Sequence, residues 1–92
     1  MGTFHDDKGE LHGITVVVDT NGAQVFVGRC DEVTDEGVIL LDADVHEEGE
    51  GTASKEEYIK RAAMVGVFKK HDRILVPKAH VVSIRRLGEI AS

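Results

Sequence analysis

An all-β fold of five short antiparallel strands, strongly bent into a small barrel, is what this sequence predicts. Three observations carry that expectation. Thirteen valines and six isoleucines against five leucines make the aliphatic content largely β-branched, and such side chains, stiff at χ1, suit pleated strands. The apolar residues fall into five short runs punctuated by Asn-Gly, Asp-Glu-Gly and Pro, the spacing of a meander and not of amphipathic helices. The chain has 92 residues, room for one domain and one modest core.

Each element follows from its local chemistry. Residues 1–12 are polar, carry two glycines and read as a flexible arm. A single domain over 13–88 follows, with 89–92 as a tail. Ile14-Thr-Val-Val-Val18 is the first strand, stopped by Asp19-Thr-Asn21-Gly22, a pair that tolerates positive φ and signals a hairpin. Gln24-Val-Phe-Val27 continues through Gly28-Arg29-Cys30, where a glycine inside a strand predicts a bend or bulge. Asp35-Glu36-Gly37 turns the chain into Val38–Val45. His46–Gly51 reads as an acidic loop, opening an insertion near 46–63. Within it, Ser54 and Glu57 have capping-box spacing, and Tyr58, Ile59, Ala62 and Ala63 share one helical face, so a short helix over 54–63 is expected. Ile74–Val76 and Val81–Ile84 are the last two strands, with Pro77 at an edge or in the joining turn because it cannot donate to a ladder.

The formal charge of −6 conceals a polarity. Residues 1–59 hold three cations against fifteen acids, net −12, whereas 60–86 hold eight cations against Asp72 alone, net +7. Local field decides whether a phosphate backbone is attracted, so net acidity does not exclude nucleic acid. The competing reading pairs the basic segment with Asp42, Asp44 and the acidic loop. No apolar run reaches the roughly 18 residues of a membrane span, so no membrane partner is expected. Neither a basic n-region nor an apolar h-region opens the chain, and a single cysteine, Cys30, forms no internal disulfide, so a reducing cytoplasm is the expected compartment.

The motif order resembles the Sm-like (LSm) family over roughly residues 13–87. Val16-Val-Val-Asp-Thr-Asn-Gly22, five residues to Gly28, then Val38-Ile-Leu-Leu-Asp-Ala43 is similar to the first Sm motif. Val76-Pro-Lys-Ala-His-Val-Val-Ser-Ile84 resembles the second, and its Lys78-Ala79-His80 turn is similar to the Lys-His-Ala turn of bacterial members. Four features mark a divergent member. The spacing between the two glycines is one residue longer, Thr34-Asp-Glu-Gly37 stands where the family's Asp…Asn loop holds a uracil, Pro77-Lys78 replaces its Arg-Gly pair, and residues 1–12 offer no strong counterpart to its leading helix. The resemblance implies a five-stranded, bent Sm-like or SH3-like barrel that closes into a homo-oligomeric ring of about five to seven copies. It also implies non-catalytic binding of single-stranded RNA or DNA, with a role in RNA or DNA processing.

The residues expected to bind nucleic acid are Lys78 and His80, with help from Lys69, Lys70 and Arg73; Lys69, Lys70, His71 and Arg73 read as a second cluster in a loop. Aromatic platforms are few: Phe26 and Phe68 are assigned to the core, leaving His80 as the alternative stacking surface. His5-Asp6-Asp7 and His46-Glu47-Glu48 lack a coordination spacing and read as solvated loops, so no metal and no cofactor is expected. Neither Cys30 nor Ser83 has a base placed beside it, and no phosphate-cradling glycine loop occurs. No catalytic residue is assigned and no enzyme is expected. The alternative function is a structural or adaptor ring, or an SH3-like interaction barrel, that docks an acidic protein.

Overall fold

The computed structural model describes residues 11–49 and 51–90. Strands β1 (Thr15–Thr20), β2 (Gln24–Thr34) and β3 (Gly37–Glu47) form the expected meander, helix α1 (Lys55–Val65) follows, and β4 (His71–Pro77) and β5 (Val81–Arg86) complete the chain order. The five strands make one antiparallel sheet in the order β4-β3-β2-β1-β5. Its two edge strands are joined only by the 3-10 turn Lys78–His80. Four Cα steps from Pro77 to Val81 span at most about 14 Å, whereas four strand spacings in a flat sheet need about 19 Å. The sheet must therefore bend.

The bend is built at Gly28. The β2–β3 register slips between Val27 and Arg29 and again between Cys30 and Glu32, and a Cβ on Gly28 would lie 2.8 Å from the Ala43 Cβ. Only glycine lets the two backbones approach that closely. Opposite the slip, Asp42 takes φ +50°. Gly37 performs a second close approach, with φ +149° and a notional Cβ 2.0 Å from the Val76 carbonyl oxygen.

Burial explains the unbroken valine run. Val16 and Val18 point into a cluster with Phe26, Cys30, Val38, Leu40, Ala43 and Val76, and Leu11 packs at its margin. Val17 points the other way, with Val25 and Val27, and that face is covered by Ile59 and Ala62 of α1 and by Leu87. All three valines are fully buried because the sheet is covered on both sides. The helix starts as its sequence predicts: the Ser54 side chain accepts from the Glu57 amide and the Glu57 carboxylate accepts from the Ser54 amide.

Several expectations need correction. The helix runs to Val65, two residues beyond its expected end, and stops at Gly66 with φ +97°. β4 starts at His71, so His71 and Arg73 lie on a strand and not in a loop. β3 extends through Glu47, and His46 is half-buried, stacked on Tyr58 at 4.6 Å. Phe68, expected in the core, is 69% exposed, because Val67 beside it takes the inward place. The hairpin at Asn21-Gly22 exists, yet neither residue has positive φ; a three-residue bend at 21–23 replaces the two-residue turn. Of the arm expected over residues 1–12, residues 1–10 lie outside the described residues, and Leu11 and His12 belong to a turn in which His12 Nδ1 donates to the Asp31 carbonyl at 2.6 Å.

Candidate nucleic-acid interface

Three turns converge at the end of the sheet where β4 passes to β5. Pro77 terminates the ladder and Lys78-Ala79-His80 crosses as one 3-10 turn. On one flank the Lys78 amide donates to the Glu36 carbonyl at 2.9 Å, tying the crossing to the β2–β3 turn. That turn is itself held by Thr34, whose hydroxyl accepts from the Glu36 and Gly37 amides at 3.0 and 3.3 Å. On the other flank the Asn21 amide donates to the His80 carbonyl at 3.0 Å, and Asn21 Nδ2 donates to the Ala79 carbonyl at 3.3 Å. The crossing is pinned from both sides.

This pinning aims the Lys78 and His80 side chains outward. Both are exposed, and among the described residues no carboxylate lies within ion-pairing distance of either. A recess of about 260 Å³ opens beside His80, lined also by Thr20, Asn21, Gln24, Phe26, Val76 and Pro77. Its polar side chains are a hydroxyl, two amides and the His80 ring, suited to hydrogen bonding with a planar heterocycle. Asp35 and Glu36, both exposed, stand on the turn bonded to Lys78 and lower the local positive potential.

The other expected residues sit elsewhere. Lys70 pairs its amide with the Ala43 carbonyl just before β4 begins, while Lys78 follows the end of that strand, about 26 Å away at 3.3 Å per residue. Lys69 binds Asp72 at 2.9 Å and Asp42 at 3.8 Å. Its ammonium is held above the usual range by the Asp72 hydrogen bond, and the Asp72 carboxyl is held below its own. Lys70 reaches the buried Asp44 at 3.3 Å. Arg29 also binds Asp42, at 3.3 Å, so the open groove of about 620 Å³ bordered by Arg29, Asp42 and Lys69 has its cations internally neutralised. Arg73 is exposed on β4 without an acidic partner among the described residues. Arg85 lies 3.8 Å from Glu56, and Arg86 lies 3.4 Å from Glu89. The paired reading of the basic segment thus holds for Lys69 and Lys70, and the structure brings together only Lys78 and His80.

Sequence reasoning misses the flanks of this site. Asn21 reads in the sequence as a hairpin signal alone, though it bonds the crossing turn twice. Lys55 has no sequence-assigned role between the capping pair Ser54 and Glu57, but its ammonium donates to Asp19 Oδ1 at 2.9 Å, the Thr20 carbonyl at 3.0 Å and the Gly22 carbonyl at 2.6 Å. One signal is present: Lys55 is the sole Lys or Arg between residues 30 and 59. A lone cation within such an acidic stretch is attracted by the carboxylates around it, so an ion pair is the expectation it raises.

Other chemistry finds little footing. Among the described residues no group of three or more His, Cys, Asp or Glu side chains is placed to hold a metal ion. Cys30 is buried, and burial followed by the charge of Asp31 pushes its thiol up, which suppresses the reactive thiolate. No helix among the described residues is long and apolar enough to cross a membrane. Neither the protein-family models nor the curated proteins contain a match to this chain.

Proposed function

We propose that this chain is the subunit of a homo-oligomeric ring that binds single-stranded RNA or DNA without catalysis, in the manner its resemblance to the Sm-like family implies. The observation that carries the reading is the Lys78–His80 turn: two exposed cationic or ionisable side chains, unpartnered by acid among the described residues, beside a recess that combines apolar Phe26, Val76 and Pro77 with the Asn21 and Gln24 amides. Ring symmetry repeats that turn around one axis and multiplies a modest charge into a continuous cationic path. The open edges support assembly. Among the described residues β4 and β5 each lack a neighbour on one side, and they expose Leu75 at 40% and Val82 at 61%, so pairing β4 of one copy with β5 of the next removes both edges. Arg73, on the same β4 edge strand, extends the cationic surface, while Lys69 and Lys70 contribute less because Asp42, Asp72 and Asp44 hold them.

The test is fluorescence anisotropy with a labelled single-stranded oligonucleotide at two salt concentrations. Binding at low salt should weaken steeply as salt rises. Lys78→Ala should reduce the slope of log K against log salt by about 0.7 for each phosphate that Lys78 neutralises. No binding at low salt contradicts the proposal.

A second reading, an adaptor that docks an acidic protein, draws on a different surface. Met64, Val65 and Phe68 are 74%, 60% and 69% exposed beside Lys60 and Arg61, which have no acidic partner among the described residues. Charge reversal at Lys60 and Arg61 that abolishes partner capture while oligonucleotide binding is absent in the wild type would favour it.

A further inference from the structure

Helix α1 reaches the site-bearing turn by way of one side chain. Lys55 is the first residue of α1, and its ammonium has three N–H donors and three acceptors, at the end of β1 and in the bend that follows it: Asp19 Oδ1, the Thr20 carbonyl and the Gly22 carbonyl. The head group is largely withdrawn from solvent, the Lys55 side chain being 17% exposed and that of Asp19 30%. Between the two captured carbonyls stands Asn21. Its amide and its side chain hold the His80 and Ala79 carbonyls. Two sets of hydrogen bonds, joined through the Thr20-Asn21-Gly22 backbone, therefore link the first residue of α1 to the turn that carries Lys78 and His80.

The loop leading to the helix tightens the same grip. The Glu48 amide donates to the Ala23 carbonyl at 2.8 Å, and the Lys55 amide donates to Glu48 Oε2 at 3.2 Å. The bend is thus wrapped by the chain segment that precedes α1. Without the ammonium, two nearby carbonyls and one carboxylate crowd the same small space with no donor between them, and their mutual repulsion opens the bend.

We propose that Lys55 is a positioning residue for the Lys78–His80 turn, and that the insertion between β3 and β4 sets the geometry of the ligand site by clamping the Asp19–Gly22 bend. For ligand binding the inference rests on the nucleic-acid reading above; for the clamp itself it does not. Lys55 touches no ligand. Its removal lowers the fraction of molecules whose turn is correctly placed, and apparent affinity falls by that fraction.

Two readouts on the full chain test this. The first is amide hydrogen exchange by NMR. In Lys55→Met, protection of Asn21 should fall about tenfold while the central sheet amides of Val17 and Val27 stay protected, a local opening and not global destabilisation. The second is oligonucleotide anisotropy against salt. Affinity should fall about tenfold with the salt slope unchanged, because every phosphate-binding side chain is still present, in contrast to Lys78→Ala. Lys55→Cys alkylated with 2-bromoethylamine should restore both, since it returns an ammonium at nearly the same reach and the native Cys30 is buried. If Lys55→Met does not fold, Asp19→Asn should show a smaller decrease of Asn21 protection in the same direction.

Unchanged Asn21 protection overturns the clamp, whatever happens to affinity. A changed salt slope in Lys55→Met overturns it as well, because Lys55 would then touch the ligand directly. Wild-type protein that binds no oligonucleotide while Lys55→Met still exposes Asn21 overturns the nucleic-acid reading and leaves the clamp standing.

Discussion

Replacing Gly37 with alanine is the sharpest perturbation the fold offers. Its notional Cβ lies 2.0 Å from the Val76 carbonyl oxygen, 2.9 Å from the Val76 carbonyl carbon and 3.0 Å from the Lys78 nitrogen. The first of these falls short of ordinary non-bonded contact by about 1.5 Å. All three neighbours are backbone, so no flexible side chain can yield. Overpacking of this kind costs about 1–3 kcal/mol, and a non-glycine residue at φ +149° adds about 1–2 kcal/mol. The sum, about 2–5 kcal/mol, is a large part of the stability of a domain this size. Urea denaturation at fixed protomer concentration measures it. With m near 1.5 kcal/mol per M, the midpoint should fall by about 1.3–3.3 M. Gly22→Ala is the control: nothing among the described residues lies within 4 Å of its notional Cβ and its φ is not positive, so its effect should stay within about 0.5 kcal/mol. A Gly37→Ala midpoint within about 0.3 M of wild type, or a Gly22→Ala shift of equal size, refutes the close-approach argument.

Three further predictions follow the same geometry. Ile59 is the one large aliphatic side chain that α1 buries completely, so Ile59→Ala should cost about 2–5 kcal/mol in urea denaturation, and a cost below about 1 kcal/mol contradicts its anchoring role. Tyr58 donates to Asp44 at 2.7 Å, and burial, then that hydrogen bond, then the Asp44 charge hold its phenol well above the usual value of 10. A folded-state value raised above the unfolded one stabilises fully below pH ~10, and that stabilisation disappears as pH rises further. Stability should therefore decline above pH ~10 in wild type, and Tyr58→Phe should remove that part of the decline while costing about 1–3 kcal/mol at neutral pH. The raised Cys30 thiol causes its own alkaline decline in both proteins and cancels in the difference. Neutralising the turn beside Lys78 with Asp35→Asn and Glu36→Gln should strengthen oligonucleotide binding several-fold at low salt and less at high salt; weaker binding would mean that these acids touch the ligand.

How much of the molecule is legible in its sequence depends on whether a feature is local. β-branched runs, the Asp35-Glu36-Gly37 turn, the bulge at Gly28, the edge position of Pro77 and the Ser54 capping box are all written in neighbouring residues, and each appears in the structure. The Val16-Val17-Val18 run holds more than its β texture alone suggests. Three consecutive apolar residues require cover on both faces, and the helix at 55–65 supplies the second. Phe68 escapes a sequence reading because a β-like texture does not reveal which face of an irregular segment points inward. The candidate site divides for a reason of scale. Lys69, Lys70, Lys78 and His80 are close in sequence, but a seven-residue strand lies between the two pairs. Asn21 meets Ala79 across 58 residues, and Lys55 meets Asp19 across 36, pairings that no local pattern encodes.

Assembly and binding appear together in native mass spectrometry of the purified chain mixed with one single-stranded oligonucleotide. A single closed oligomer that carries one strand is expected, with Lys78→Ala keeping the oligomer and carrying the strand at lower occupancy. A monomer free of oligonucleotide at low salt would contradict it.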